Sequence, residues 1–211
     1  MEVARSDADG SQLGGVEARG VDPGVIGSGP GTRALRDRQR AKVYEAENLV
    51  HRIFDRSAEF PVVEVAGSRL TLPVERHFAT LESVQRYVDA VLAMPTVGAC
   101  WPRAAVPVAV RERSGQQQAD YQRLGAVLAV PLYAGNRAWA LRELVILHEL
   151  AHHLADTADE EPHGPAFTAR LIALASDVVG EEAGFLLRTT LWDNGVQVGS
   201  PRSPNGPTMH P

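Results

Sequence analysis

The chain contains a single cysteine, Cys100. No intramolecular disulfide can form, and no zinc site built on two or more thiolates is possible. Positive charge is also short: 21 Lys and Arg face 26 Asp and Glu, a net charge of -5. Proteins held to nucleic acid mainly by electrostatics are basic, so this balance disfavours nucleic acid as a partner. No apolar run approaches the roughly 18 residues of a membrane span. The N-terminal "MEVARSDADGSQLGGVEARG" lacks the apolar stretch of a secretory signal. These absences predict a cytoplasmic protein without a membrane anchor. No internal repeat is visible.

What is present suits one folded domain between two polar tails. Apolar residues make up 44% and charged residues 22%, ordinary values for a globular chain. Residues 1–32 carry eight glycines and little apolar content, too little to offset the entropy of ordering. They are expected to form a disordered arm, and residues 198–211 a disordered tail. The 33–197 segment is long enough for a core of its own. "ALRDRQRAKVYEAENLVHRIF" places Val43, Ala46, Val50 and Phe54 at helical spacing. "PVVEVAGSRLTLP" has β-branched runs on either side of Ala66-Gly67-Ser68 and predicts a hairpin. "LESVQRYVDAVLAM" predicts a second amphipathic helix that stops before Pro95. "VPVAVRER" and "GAVLAVPLY" predict strands, and "SGQQQADYQRL" a turn with part of a third. "RAWALRELVILHELAHHLADT" predicts a long, buried helix, apolar on nearly every side. "GPAFTARLIALASDVVG" and "EEAGFLLRTTLW" predict two closing helices, with Pro165 at a first helical position and Gly180 at a helix end. The class is α+β: a small, mostly antiparallel sheet packed with helices.

The chemistry lies in "HELAHH" and in "HGPAF", whose His163 stands eleven residues beyond His152. Four residues along a helix turn through about 400°, so His148 and His152 share one face. Their imidazoles can converge on one metal ion. Glu149 is turned about 100° from His148, which lets its carboxylate reach a water beside the metal rather than the metal itself. Catalytic zinc calls for neutral nitrogen ligands, an open position and an adjacent base. Chance places His-Glu-x-x-His in roughly one chain in a hundred of this size. A buried apolar helix strengthens the motif, because its polar groups need partners. The helix supplies two ligands. His163 is the leading candidate for a third, with Asp159, Glu160 and Glu161 as alternatives, and Phe167 is placed to pack beside the site. His153 points about 100° from His152 and is expected to be an ordinary partly buried or surface histidine. His51, His77 and His210 have no ligand-like spacing, and Cys100 reads as core. The metzincin extension is missing: it wants Gly at 155 and His at 158, where this chain has Ala155 and Ala158.

"HELAHH…HGPAF" resembles the SprT-like zincins over about 25 residues, without the four-cysteine ribbon that often accompanies them. The chain more closely resembles an actinobacterial family of metallohydrolases of unknown substrate. The likeness lies in "RDRQRAKVYEAE", "ADYQRLGAVLAVP" and "WALRELVILHELAHHL…HGPAF", in that order, from about Arg36 to about Val196. It implies a zincin-like α+β fold, Zn2+ held by His148, His152 and His163, and Glu149 as catalytic base. In zincins a strand before the metal helix edges the cleft, and "GAVLAVP" is the expected match. Such an edge binds extended peptide by strand addition, which makes a peptide or protein the expected substrate. Tyr121, Tyr133 and Arg142 are the expected candidates for stabilising the oxyanion. Two readings follow: a zinc-dependent metallopeptidase, or a zinc-stabilised protein- or peptide-binding module without turnover. A DNA-linked protease is a third, disfavoured by the acidic balance.

Overall fold

The structure, a computed structural model, describes residues 37–113, 118–132 and 141–200. The arm 1–32, most of the tail and Tyr133 lie outside them. The first helix, α1 (Arg40–Arg56), buries Val43, Ala46, Val50 and Phe54, the predicted stripe. A hairpin follows, β1 (Val62–Val65) and β2 (Ser68–Thr71). Its two-residue loop has Ala66 at φ 48° and Gly67 at φ 76°, the left-handed pair that matches strand twist in tight hairpins. Helix α2 (Leu81–Leu92) opens on Thr80, whose hydroxyl accepts from the Ser83 N–H while Ser83 Oγ accepts from the Thr80 N–H. This reciprocal cap satisfies two otherwise orphaned donors. Pro95 then starts the short α3 (Pro95–Cys100), where its missing N–H costs nothing. Cys100 is buried, as expected of a core residue.

The sheet has three strands, β3 (Ala109–Glu112), β4 (Asp120–Gln122) and β5 (Val127–Val130), in the order β3-β5-β4. β3 runs parallel to β5 and β4 antiparallel to it. Among the described residues the fold is thus α+β with small sheets and six helices. The "GAVLAVP" strand is therefore central rather than an edge. Its burial explains the change: Leu128, Ala129 and Val130 have no exposed surface, and an almost wholly apolar strand is stable only when covered on all sides. The edge toward the site is β4.

The metal-motif helix, α4 (Glu143–His153), is shorter than "RAWALRELVILHELAHHLADT" suggests. Its start is set by tertiary pairing. Leu141 O accepts from the Phe78 N–H, and the Glu143 N–H donates to Arg76 O, so the residues just before the helix form a strand-like bridge to 76–78. The Glu75 carboxylate accepts from the Leu144 N–H and from Arg142 Nε, serving one of the unpaired donors of the first turn. Ten of the eleven α4 residues are buried. Helix α5 (Pro165–Leu174) packs on α4 and passes through a π-turn at Ala175–Val179 into α6 (Glu181–Asp193), which lies along α1. Folded order continues past 197: Val198 packs on the core, and the Gly199 N–H donates to Pro165 O. Among the described residues no helix is long and apolar enough to cross a membrane.

Candidate metal centre

Three segments deliver the site. Helix α4 contributes His148, Glu149 and His152. The turn before α5 contributes His163. The start of α1 and the residue before it contribute Asp37, Arg40, Tyr44 and Glu47. His148 Nε2 lies 3.2 Å from His152 Nε2 and 3.3 Å from His163 Nε2. One ring nitrogen from each lies within 4.8 Å of the others, close enough to hold a metal ion. Asp159, Glu160 and Glu161 do not join this group. Glu160 pairs with Arg170, Glu161 accepts from the Arg38 N–H at 3.0 Å, and Asp159 is exposed.

The other ring nitrogens explain the orientation. His148 Nδ1 lies 2.7 Å from Glu47 Oε1, and His163 Nδ1 lies 2.6 Å from Asp37 Oδ2. A carboxylate oxygen only accepts, so both Nδ1 atoms carry the proton and donate. Both Nε2 lone pairs are then turned toward one point. Two facing lone pairs repel, and a cation between them removes the repulsion. Metal-binding histidines are held this way, through the nitrogen that does not ligate. Phe167, fully buried, closes the floor: its ring stacks on His152 at 4.4 Å and meets His148 and His163 edge-on at 4.9 and 5.0 Å. Gly164 is needed for closeness, since a Cβ there would lie 2.9 Å from Glu161 Cβ. Gln39, buried, donates from Nε2 to the His163 carbonyl at 3.2 Å, and its Oε1 accepts from the Gln197 N–H. The third histidine is thus braced from both ends of the fold.

The titration of the four groups follows from burial and neighbours. Burial pushes the Glu149 carboxyl up to about 7; Asp120 and Glu47 add to this, while His148 and the Tyr121 N–H oppose it. For His148 burial acts downward, but the charge and hydrogen bond of Glu47, with help from Glu149, leave the imidazole raised. His152 is held well below its ordinary value by burial and by repulsion from His148 and His163. Burial and His148 also lower His163, against Asp37. A carboxylate near neutral pKa, beside two imidazoles, His152 and His163, that are shifted toward their neutral form, is the pattern of a tuned acid-base site.

Glu149, His152 and His163 open onto a cleft of about 750 Å³. One wall is the start of α1, with Asp37, Arg40 and Tyr44; the other is Gln118–Tyr121 of the β4 edge. His153 behaves as expected of a structural residue, though it is fully buried rather than partly exposed. Its Nε2 lies 3.0 Å from Arg103 O and its Nδ1 2.8 Å from the Tyr121 hydroxyl. A carbonyl accepts only, so Nε2–H donates to it and Nδ1 accepts from Tyr121. Two oxyanion candidates are committed elsewhere. Tyr121 gives its only proton to His153 while accepting from Arg103 Nη2 at 3.0 Å. Arg142 is buried against Glu75 and Asp55 and does not line this cleft.

Asp37, Gln39, Tyr44 and Glu47 were not legible as site residues from the motif. The signal for Asp37, Tyr44 and Glu47 was a polar row at 37, 40, 44 and 47, on a helical period beside the apolar stripe of α1; Gln39 lies off it. No protein-family model, curated protein or solved structure matches the chain.

Proposed function

We propose that this chain is a zinc-dependent metallohydrolase that cuts peptide bonds, with Glu149 as general base and His148, His152 and His163 as metal ligands. The observation that carries this reading is the convergence of three Nε2 atoms beside Glu149 at the bottom of an open cleft. Zinc bound to nitrogens at about 2.0–2.1 Å in tetrahedral geometry sets them roughly 3.3–3.4 Å apart. The separations of 3.2 and 3.3 Å fit that. Histidine-only ligation also favours zinc over magnesium or calcium. When bound, zinc supplies Lewis acidity, polarising a carbonyl and acidifying water.

The remaining work falls to the chain. Glu47 and Asp37 hold two imidazoles in the ligating tautomer. Glu149 takes the proton of the attacking water and hands it to the departing amine nitrogen. The Tyr121 N–H steadies its carboxylate. β4 is an edge strand lining the cleft, and an extended peptide can add to such an edge through main-chain hydrogen bonds. This supports a peptide substrate. The three-segment resemblance to the actinobacterial metallohydrolases supports the histidine ligands and Glu149 as base, and implies no substrate.

The rival reading is a zinc-stabilised binding module without turnover. It draws on the way the triad ties the start of α1, α4 and the turn before α5 together. Glu149 separates the two, because a purely structural site needs no base and fills its fourth position with protein. The deciding experiment pairs metal analysis with peptide-library digestion for wild type, Glu149→Gln and His163→Ala. The hydrolase reading expects about one zinc per chain in wild type and in Glu149→Gln, and markedly less in His163→Ala. It expects turnover to fall by about 10²–10⁴ in Glu149→Gln. Undiminished cleavage by Glu149→Gln would refute it. Zinc binding with no cleavage of any peptide would leave the binding module.

A further inference from the structure

We infer that the Tyr44 hydroxyl is the hydrogen-bond donor to the oxyanion that forms when a carbonyl is attacked in this cleft; the inference rests on the hydrolase reading above. The ring is held by the site itself. It stacks on His148 with centroids 5.4 Å apart and planes 27° apart, and lies 5.3 Å from His163. On its other side the Arg40 guanidinium carbon is 5.6 Å from the ring centre. Tyr44 lines the cleft together with Glu149, His152 and His163. A carbonyl bound along β4 beside Glu149 therefore shares its cleft with the Tyr44 hydroxyl.

The hydrogen-bond accounting singles out this hydroxyl. A phenol has one proton to give and accepts through its oxygen. Arg40 donates to the Tyr44 hydroxyl, which leaves the proton for another acceptor. Tyr121 shows the completed arrangement in the same molecule: its hydroxyl accepts from Arg103 and gives its proton to His153. For Tyr44 no acceptor of that proton stands among the hydrogen bonds of the described residues. Three other cationic side chains of the cleft are engaged. Arg123 holds the carbonyls of Ala155 and Asp156, Arg170 holds Glu160 and Ala151 O, and Arg113 holds Gln118 O. A donor polarised by a cation behind it gives a stronger hydrogen bond to developing negative charge. Its geometry is also set before the reaction, so no reorganisation is required when the charge appears.

The test compares wild type with Tyr44→Phe, which keeps the stacked ring and removes only the hydroxyl. Both are loaded with zinc, and metal content is measured. Acetohydroxamate, whose carbonyl oxygen mimics an oxyanion beside the metal, is titrated into each by calorimetry. The expected result is equal zinc content and binding weakened tenfold or more in Tyr44→Phe. On any peptide the wild type cuts, kcat should fall by about 10²–10³, with KM within about twofold. Equal hydroxamate affinity overturns the assignment of Tyr44 alone. A zinc content that falls with affinity overturns it too, since the hydroxyl would then serve the metal site's structure. Failure of the zinc-loaded wild type to bind acetohydroxamate overturns the hydrolase reading, and Tyr44's role with it.

Discussion

At the residue scale the proposed metal site depends on carboxylates that stand behind its histidines. Glu47 and Asp37 each fix one imidazole through Nδ1, so removing either acceptor should loosen the ligand rather than delete it. Loss of such a partner typically costs 10–100-fold in metal affinity. Glu47→Gln and Asp37→Asn should therefore each bind zinc about 10–100-fold more weakly in competition with a chromophoric chelator, while still reaching one zinc per chain at saturation. Unchanged affinity in both would mean that the imidazoles are positioned by packing against Phe167 and Tyr44 alone. These two residues also mark the limit of motif reading. His148, Glu149 and His152 could be named from spacing because four residues nearly close a helical turn. Asp37 is 126 residues from the histidine it holds, and Glu47 is 101 from its own, so no local period links them.

At the scale of elements, α4 is positioned at its N-terminal end by a buried ion network. Arg142, almost fully covered, binds Glu75 and Asp55 and donates to the His51 carbonyl at 3.3 Å. Glu75 is itself buried and also caps α4 through the Leu144 N–H. Breaking a buried pair leaves an uncompensated charge and costs about 3–5 kcal/mol. Glu75→Ala should therefore lose on the order of 3 kcal/mol in urea unfolding, Asp55 retaining part of the interaction. A loss below about 1 kcal/mol would show that water reaches Arg142 readily. The same network explains why α4 begins at Glu143. Hydrophobic pattern extends the helix backward through 137–142; 137–140 lie outside the described residues, and Leu141 and Arg142 spend their backbone on the bridge to 76–78. Propensity yields here to tertiary pairing. The sheet teaches the converse. "GAVLAVP" was recognisable as a strand from its β-branched run, but its place between β3 and β4 was not. A fully apolar strand declares burial, and only the chain's path decides what covers it.

At the scale of the whole molecule, the metal and the fold should be thermodynamically linked. Zinc that binds the assembled triad and not the open chain stabilises the native state by mass action. Chelation should lower Tm by several degrees, with the loss reversed by added zinc; a Tm indifferent to chelator would place the triad outside the cooperative unit. Acid should act through His153. Burial, then the charge of Arg103, lowers its pKa to about 4, whereas in the unfolded chain it returns to about 6.5. A histidine depressed in the folded state contributes stability in full above about pH 6.5, and that contribution is lost as pH falls toward 4. The gap amounts to roughly 3 kcal/mol. Urea midpoints measured from pH 7 to pH 4 should fall through this window, and the His153 imidazole should remain neutral at pH 5.5 by NMR. Titration of His153 near 6.5 in the folded protein would contradict this. The sequence by itself determined the α+β class, the stripe of α1, the hairpin, and the shared helical face of His148 and His152, because these follow from periods of 2 and 3.6 residues and from turn chemistry. Only the tertiary structure decided that His163 joins them, that Asp37 and Glu47 orient them, that β4 rather than β5 edges the cleft, and that Tyr121 is spent on His153 while Tyr44 faces the site. Each of these is a contact between segments far apart in the chain, and such contacts are settled by packing and by the pairing of buried polar groups rather than by any local period.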